Sequence, residues 1–180
     1  SWFTSNPQSI RMLDSVNVTK ITGYSGNAVH LHTIIQSGDT DFAYISNTPG
    51  DPTKAQGGIP YAQMSTGLSG YYRYNLPGND TALIFVIFKK NGSVIGMYTD
   101  KIRGTGSQPS WTSFSFTFTP ALATTPDTVI MAAASSNGIS DKGIQNGSWL
   151  DLDQLVFNGP SSAIPNGNFD TWTAYSFDIP

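Results

Sequence analysis

Asp151 and Asp153 stand two positions apart in SWLDLDQLVF (148–157), a run with strand-like alternation, so both carboxylates share one face. His30 and His32 repeat that spacing in NAVHLHTIIQ (27–36), opposite Val29, Leu31 and Thr33. Two imidazoles so placed can bind a transition metal, but no third ligand stands nearby, and a surface strand carrying two histidines is the plainer reading. In Gly70-Tyr71-Tyr72-Arg73-Tyr74, Tyr71 and Arg73 share one face and Tyr72 and Tyr74 the other. One pair faces the core and the other is free to face a ligand. Sugar-binding sheets use such rings, because the apolar face of a pyranose stacks on them while polar neighbours bind its hydroxyls. The candidate glycan contacts are therefore Tyr71, Arg73, Tyr44, Tyr61 and Trp111, with packing as the competing role for each ring.

Catalytic signatures are missing. All 12 acidic residues are Asp, cysteine is absent, and there is no Gly-x-Ser-x-Gly elbow or glycine-rich phosphate loop. A glycosidase needs two carboxyl groups across a cleft, and no Asp pair is marked out for that role. Lys20 and Lys101 are conceivable donors for an intramolecular isopeptide bond, but nothing identifies an acceptor. The expectation is a protein that is not an enzyme. A net charge of −3 offers nothing to neutralise a row of phosphates, which argues against a nucleic-acid partner. No apolar run approaches the roughly 18–20 residues of a membrane span. No signal peptide opens the sequence, although a mature chain would have lost one. A thiol-free composition rich in Thr, Asn and Gly suits a secreted or bacterial cell-surface protein.

These residues need strands to position them. Turn residues recur every eight to twelve positions, the spacing of a sandwich or barrel. Strands are expected within 27–36, FAYISNT (42–48), GGIPYAQM (57–64), GLSGYYRYNL (67–76), WTSFSFTFTP (111–120) and 148–157. TALIFVIFKKNGSVIGMYTDKI (81–102) reads as a hairpin, because Asn91-Gly92 favours a type I′ turn. In 111–120, Phe114, Phe116 and Phe118 fall on one face. DTVIMAAASSN (127–137) is apolar on both faces and so reads as a central strand. No helix is expected. The fold class is all-β: a two-sheet antiparallel β-sandwich of jelly-roll type with roughly ten strands.

GGIPYAQMSTGLSGYYRYNLPGND (57–80), WTSFSFTFTPALATTPDTVIMAAASSNG (111–138), GSWLDLDQLVFNG (147–159) and NGNFDTW (166–172) together carry a family resemblance. The chain resembles a domain of Bacteroidota surface proteins named for carbohydrate metabolism, itself similar to the galactose-binding-like jelly-roll carbohydrate-binding modules. In that family the NG-x-F-(E/D)-x-W element begins the domain. Here it lies near the end, and SWFTSNPQSI (1–10) looks like its continuation. The order is circularly rotated.

The organisation expected is a sandwich body over 1–160, then Gly159-Pro160-Ser161-Ser162 as a linker, with 161–180 holding the linker and a terminal strand. Phe169, Trp172, Tyr175, Phe177 and Ile179 make that tail apolar, the odd-numbered ones in alternation. It could complete its own sandwich, belong to one period of a tandem array, or insert into a neighbouring copy. Phe169, Trp172, Tyr175 and Phe177 are thus the candidate assembly residues. The resemblance further implies a structural Ca²⁺ between Asp170 and Asp153, with Asp151 alongside; other oxygens must complete its six to eight ligands. Asp14-Ser15-Val16, Asp80-Thr81-Ala82 and Asp127-Thr128-Val129 fit the short pattern that Bacteroidota modify with O-glycans, which would place those hydroxyls on the surface.

Two functions compete. One is a non-catalytic module of a surface adhesin or fibre, assembling with copies of itself or adjacent repeats through its tail. The other is a carbohydrate-binding module whose partner is a glycan stacked on surface Tyr and Trp rings.

Overall fold

The computed structural model describes residues 2–49, 51–103, 106–140 and 143–173. Its elements, in chain order, are β1 (Phe3–Thr4), α1 (Asn6–Leu13), β2 (Val18–Thr22), β3 (Asn27–His32), β4 (Ile34–Gln36), β5 (Asp39–Asp41) and β6 (Tyr44–Ser46). A 3-10 turn (Pro52–Lys54) follows, then β7 (Ile59–Pro60), β8 (Gly67–Asn75), β9 (Thr81–Lys90), β10 (Ser93–Arg103), β11 (Ser107–Thr117), β12 (Thr128–Ala134) and β13 (Trp149–Asn158). One sheet runs β1-β6-β12-β9-β10, with β7 also on β12; the second runs β11-β8-β13-β3-β2; β4 and β5 form a small ribbon. All pairings are antiparallel. This is the expected jelly-roll sandwich, with more and shorter strands.

Alternation builds the core between the sheets. From β12, Val129, Met131 and Ala133 point inward to meet Leu31, Leu68, Leu150 and Leu152 of the facing sheet. The other side of β12 is apolar too: Ile130 and Ala132 join Phe85 and Ile87 in a second cluster on which Ala55 packs. The strand lies between β6 and β9, central as its sequence implied. Asn91 (φ 50°) and Gly92 (φ 78°) turn the β9–β10 hairpin at the expected place. Phe114 and Phe118 are buried in the core and Phe116 packs against it.

Four expectations are corrected. A helix is present: α1 carries Pro7 in its first turn, where the missing N–H costs nothing. It ends at Asp14 in a left-handed cap whose N–H donates to the Ile10 carbonyl at 3.0 Å. Gln8, Arg11, Met12 and Leu13 favour helix, but eight residues were too few to stand out in a strand-rich chain. In 57–64 only Ile59–Pro60 pairs, since Pro60 removes a donor and Gly57 and Gly58 both take positive φ. Thr81 is buried (4% exposed) at the start of β9, so it offers no surface hydroxyl for a glycan.

The described part of the tail is the fourth correction. Residues 161–173 form no strand. Asn166 (φ 54°) and Phe169 (φ 51°) curl the chain, so within 161–173 it makes a turn that buries one ring. Phe169 is 2% exposed in this chain's own core, and Trp172 packs against the same cluster. The Trp2 ring lies 5.5 Å from that of Phe169, and Trp2 Nε1 donates to the Asn166 carbonyl at 3.0 Å. The two segments that the family resemblance reads as contiguous therefore meet in space. The tail docks where β13 bulges between Asp153 and Val156, and Leu155 N donates to the Gly167 carbonyl at 2.8 Å. Phe169 is thus buried within the chain's own core and Trp172 packs beside it; Tyr175, Phe177 and Ile179 lie outside the described residues.

Candidate functional site

The outer face of the five-stranded sheet gathers most of the chemistry. In β8, Tyr72 and Tyr74 pack against the core, which leaves Tyr71 and Arg73 pointing outward. Register then sets the neighbours: Asp151 of β13 lies directly between Arg73 of β8 and His30 of β3. Asp151 accepts from Arg73 Nε at 2.6 Å and from His30 Nδ1 at 2.5 Å. Its side chain is only 2% exposed, whereas those of Arg73 and His30 are 31% and 26% exposed. The anion is buried beneath two outward-facing bases.

Rings flank this triplet. The Arg73 guanidinium carbon lies 5.0 Å from the centroid of Trp111, on β11, in cation–π contact. The rings of His32 and Trp149 lie 5.9 and 5.8 Å from His30. Burial, then the neighbouring His30, holds His32 below its ordinary pKa. Beyond Arg73, Tyr71 stacks on Tyr24 with centroids 3.6 Å apart and planes 9° apart. The Tyr24 hydroxyl beside it pushes the Tyr71 phenol above its ordinary value. Next to Tyr71 is a groove of about 470 Å³ lined by Ser69, Gly70, Ser113, Ser115, Gln154 and Val156 among others. The result is a strip of partly exposed rings beside charged donors and a row of hydroxyls, fitted to hydrogen-bond and stack a polar ring compound.

The five glycan candidates separate. Tyr71, Arg73 and Trp111 share this strip. Tyr61 does not: it is 6% exposed, packs on Phe157 and Phe88 at 4.9 and 5.7 Å, and its hydroxyl bonds Ser65. A tyrosine in the short β7–β8 connection is drawn into the core because the chain there crosses from one sheet to the other. Tyr44 lies on β6 of the other sheet, in a separate groove of about 620 Å³ with Asp51, Phe85, Ala132 and Ile139. Sequence reasoning passed over Tyr24 and Trp149. Trp149 was findable, since it precedes Asp151 by two and must share its face; Tyr24 sits in the Gly23–Gly26 turn, where no periodicity marks it.

The three acidic candidates also divide. Asp151 is committed to Arg73 and His30, away from Asp170. Asp153 and Asp170 instead converge on the turn between β2 and β3. Asp153 accepts from Ser25 N at 3.0 Å and Gln154 N at 2.7 Å, while Asp170 accepts from Asn27 N and Asn168 Nδ2, each at 2.8 Å. A Cβ at Gly23 would strike the Asp153 carboxylate and one at Gly26 that of Asp170, so the turn is cut to fit them. Burial, and to a smaller degree the charge of Asp170, raises the Asp153 carboxyl above its ordinary pKa against the pull of these N–H donors. Two close carboxylates on a glycine turn are hard oxygen donors of the kind calcium takes, and backbone carbonyls or waters must supply the remainder. Among the described residues no group of three His, Cys, Asp or Glu side chains is placed to hold a metal, which applies equally to His30 with His32.

No family model and no curated protein sequence matches the chain. Solved structures do. A candidate glycoside hydrolase from Bacteroides thetaiotaomicron superposes with a TM-score of 0.65 at 14% identity, over 88% of this chain and 63% of its own length. Another, from Bacteroides vulgatus, gives 0.67 at 14% identity, over 87% and 85%. The chain thus spans less than two thirds of the first of these proteins and most of the second. At such low identity the likeness is one of fold: the protein shares the jelly-roll sandwich of these two Bacteroides proteins.

Proposed function

We propose that this protein is a non-catalytic carbohydrate-binding module of a bacterial surface protein, holding a glycan along the outer face of the five-stranded sheet. The observation that carries the reading is the grouping of the stacked Tyr24–Tyr71 pair, the Arg73–Trp111 contact and the serine-lined groove on one face. Rings supply stacking surfaces, and the Arg73, His30 and serine groups are placed to bind hydroxyls. Asp151 and Asp153, the strand carboxylates on this face, are buried and already accept hydrogen bonds from the chain's own groups, which favours binding over hydrolysis. Both Bacteroides relatives are named as candidate glycoside hydrolases, a fold-level analogy to sugar chemistry.

A glycan array followed by affinity electrophoresis tests the reading. Binding is expected, weakened roughly tenfold or more by Tyr71→Ala or Trp111→Ala, since a ring's apolar contact contributes on the order of 1.5–3 kcal/mol. Tyr44→Ala on the opposite sheet should leave it unchanged. Loss through Tyr44→Ala alone would move the site to the other groove, and silence across the array would end the proposal.

Ca²⁺ is proposed to bind where Asp153 and Asp170 meet the Gly23–Asn27 turn. There it would neutralise two close carboxylates and tie the tail to the sheet.

A further inference from the structure

We infer that the strip selects an acidic glycan, with Arg73 receiving the carboxylate of a uronic acid residue through its two terminal nitrogens. This rests on the glycan-binding reading above and adds the chemical class of its ligand.

The charge balance of the face supports it. Asp151 and Asp153 are 1% and 0% exposed, so beside Trp111 the fixed charge turned toward the surface is that of Arg73, with the His30 and His32 rings next to it as hydrogen-bonding groups. A guanidinium turned outward over its buried carboxylate partner, on a chain of net charge −3, is an arrangement that packing alone does not require. Arg73 is also pre-oriented. Asp151 grips Nε from below and Trp111 lies against the guanidinium plane, so the side chain cannot easily turn away. Among the described residues only Nε is engaged, which leaves the terminal nitrogens as an open fork. A planar fork matches a planar carboxylate with two parallel, charge-assisted hydrogen bonds. A neutral sugar laid across the same place would strip water from the guanidinium and return weaker bonds. Tyr71 and Trp111 stand on either side of this point, so a sugar stacked on a ring brings an equatorial substituent within the fork's range.

The test uses the whole chain and three probes: oligogalacturonates, their fully methyl-esterified forms, and a sulfated galactan. Calorimetry at pH 7 should show the free acid binding at least about tenfold more tightly than its ester. Added salt should narrow that gap. Arg73→Gln should bring the acid down to the level of the ester, and Tyr71→Ala should weaken both. Because Arg73→Gln strands a buried carboxylate and could unfold the protein, Arg73→Lys is measured beside it. Lysine keeps the charge against Asp151 but lacks the fork, so the acid-to-ester ratio should still fall while the unfolding temperature holds. Equal binding of acid and ester, with both lost in Tyr71→Ala, would overturn the acid selectivity and leave the glycan site standing. Binding of the sulfated polymer but not the uronate would overturn the carboxylate assignment. Failure of every probe, together with silence on a neutral glycan array, would overturn the glycan-binding reading itself.

Discussion

The ring of Trp2 lies 5.5 Å from that of Phe169, bringing the two ends of the described chain into one core. Phe169 is 2% exposed, and Trp2 is fastened by its indole N–H to the Asn166 carbonyl. Phe169→Ala should cost about 3 kcal/mol or more, read as a lower urea midpoint, because it empties a filled site. The oligomeric state on a sizing column should not change. An unaltered midpoint would mean that this ring is not part of the fold.

Asp151 is the second point of leverage. Asp151→Ala removes the acceptor shared by Arg73 and His30 and leaves two half-buried bases facing each other. The expected loss is roughly 1–3 kcal/mol, discounted from a fully buried pair because both bases are partly solvated. Glycan affinity should fall with it, since Arg73 is no longer held. A variant with full stability and unchanged affinity would show the triplet to be incidental.

Asp80 should be still more sensitive. It is 1% exposed, and its carboxylate accepts from Thr81 N (2.7 Å), Ser136 Oγ (2.6 Å), Gln145 N (3.0 Å) and Ser148 Oγ (2.5 Å). Thr33 Oγ1 joins the same network through Ser135 and Ser136, each at 2.7 Å. Ser136 follows β12 of one sheet and Ser148 precedes β13 of the other, so this buried network pins the sheets together. Asp80→Ala strands several buried donors and should cost about 3 kcal/mol or more in denaturant titration. A cost under about 1 kcal/mol would contradict the pin.

His32 gives the pH dependence. Burial and His30 lower its pKa in the folded state, whereas unfolded it titrates near the ordinary value of about 6.5. Above that value both states are neutral and His32 has no effect on stability. As pH falls below it, the unfolded state takes the proton first, so stability is lost until the folded state protonates too. A His32→Asn variant should therefore lose less melting temperature than the parent between about pH 6.5 and 5. Parallel melting curves over that range would refute the assignment.

Calcium should raise the melting temperature, and Asp170→Ala should abolish the rise while leaving the calcium-free value nearly unchanged. Magnesium, which needs shorter bonds and stricter geometry, should do less. No response to calcium at millimolar concentration would remove the metal from this fold.

Sequence alone determined the sandwich, the β9–β10 hairpin, the central β12 and the split of Tyr71 and Arg73 from Tyr72 and Tyr74. Each follows from period-two alternation or from Asn-Gly turn chemistry, which are local and act whatever the rest of the chain does. Tertiary structure alone decided which strands neighbour one another. That is why Asp151, grouped in sequence with Asp153, turns out to serve Arg73 and His30. It is also why Tyr24 from a turn meets Tyr71 from a strand, and why Tyr61 is swallowed by the core. The described start of the tail shows the same limit: positive φ at Asn166 and Phe169 curls it, and the fold seats the Phe169 ring beside Trp2. Local periodicity tells which side of a strand a residue occupies; long-range register tells what it touches there.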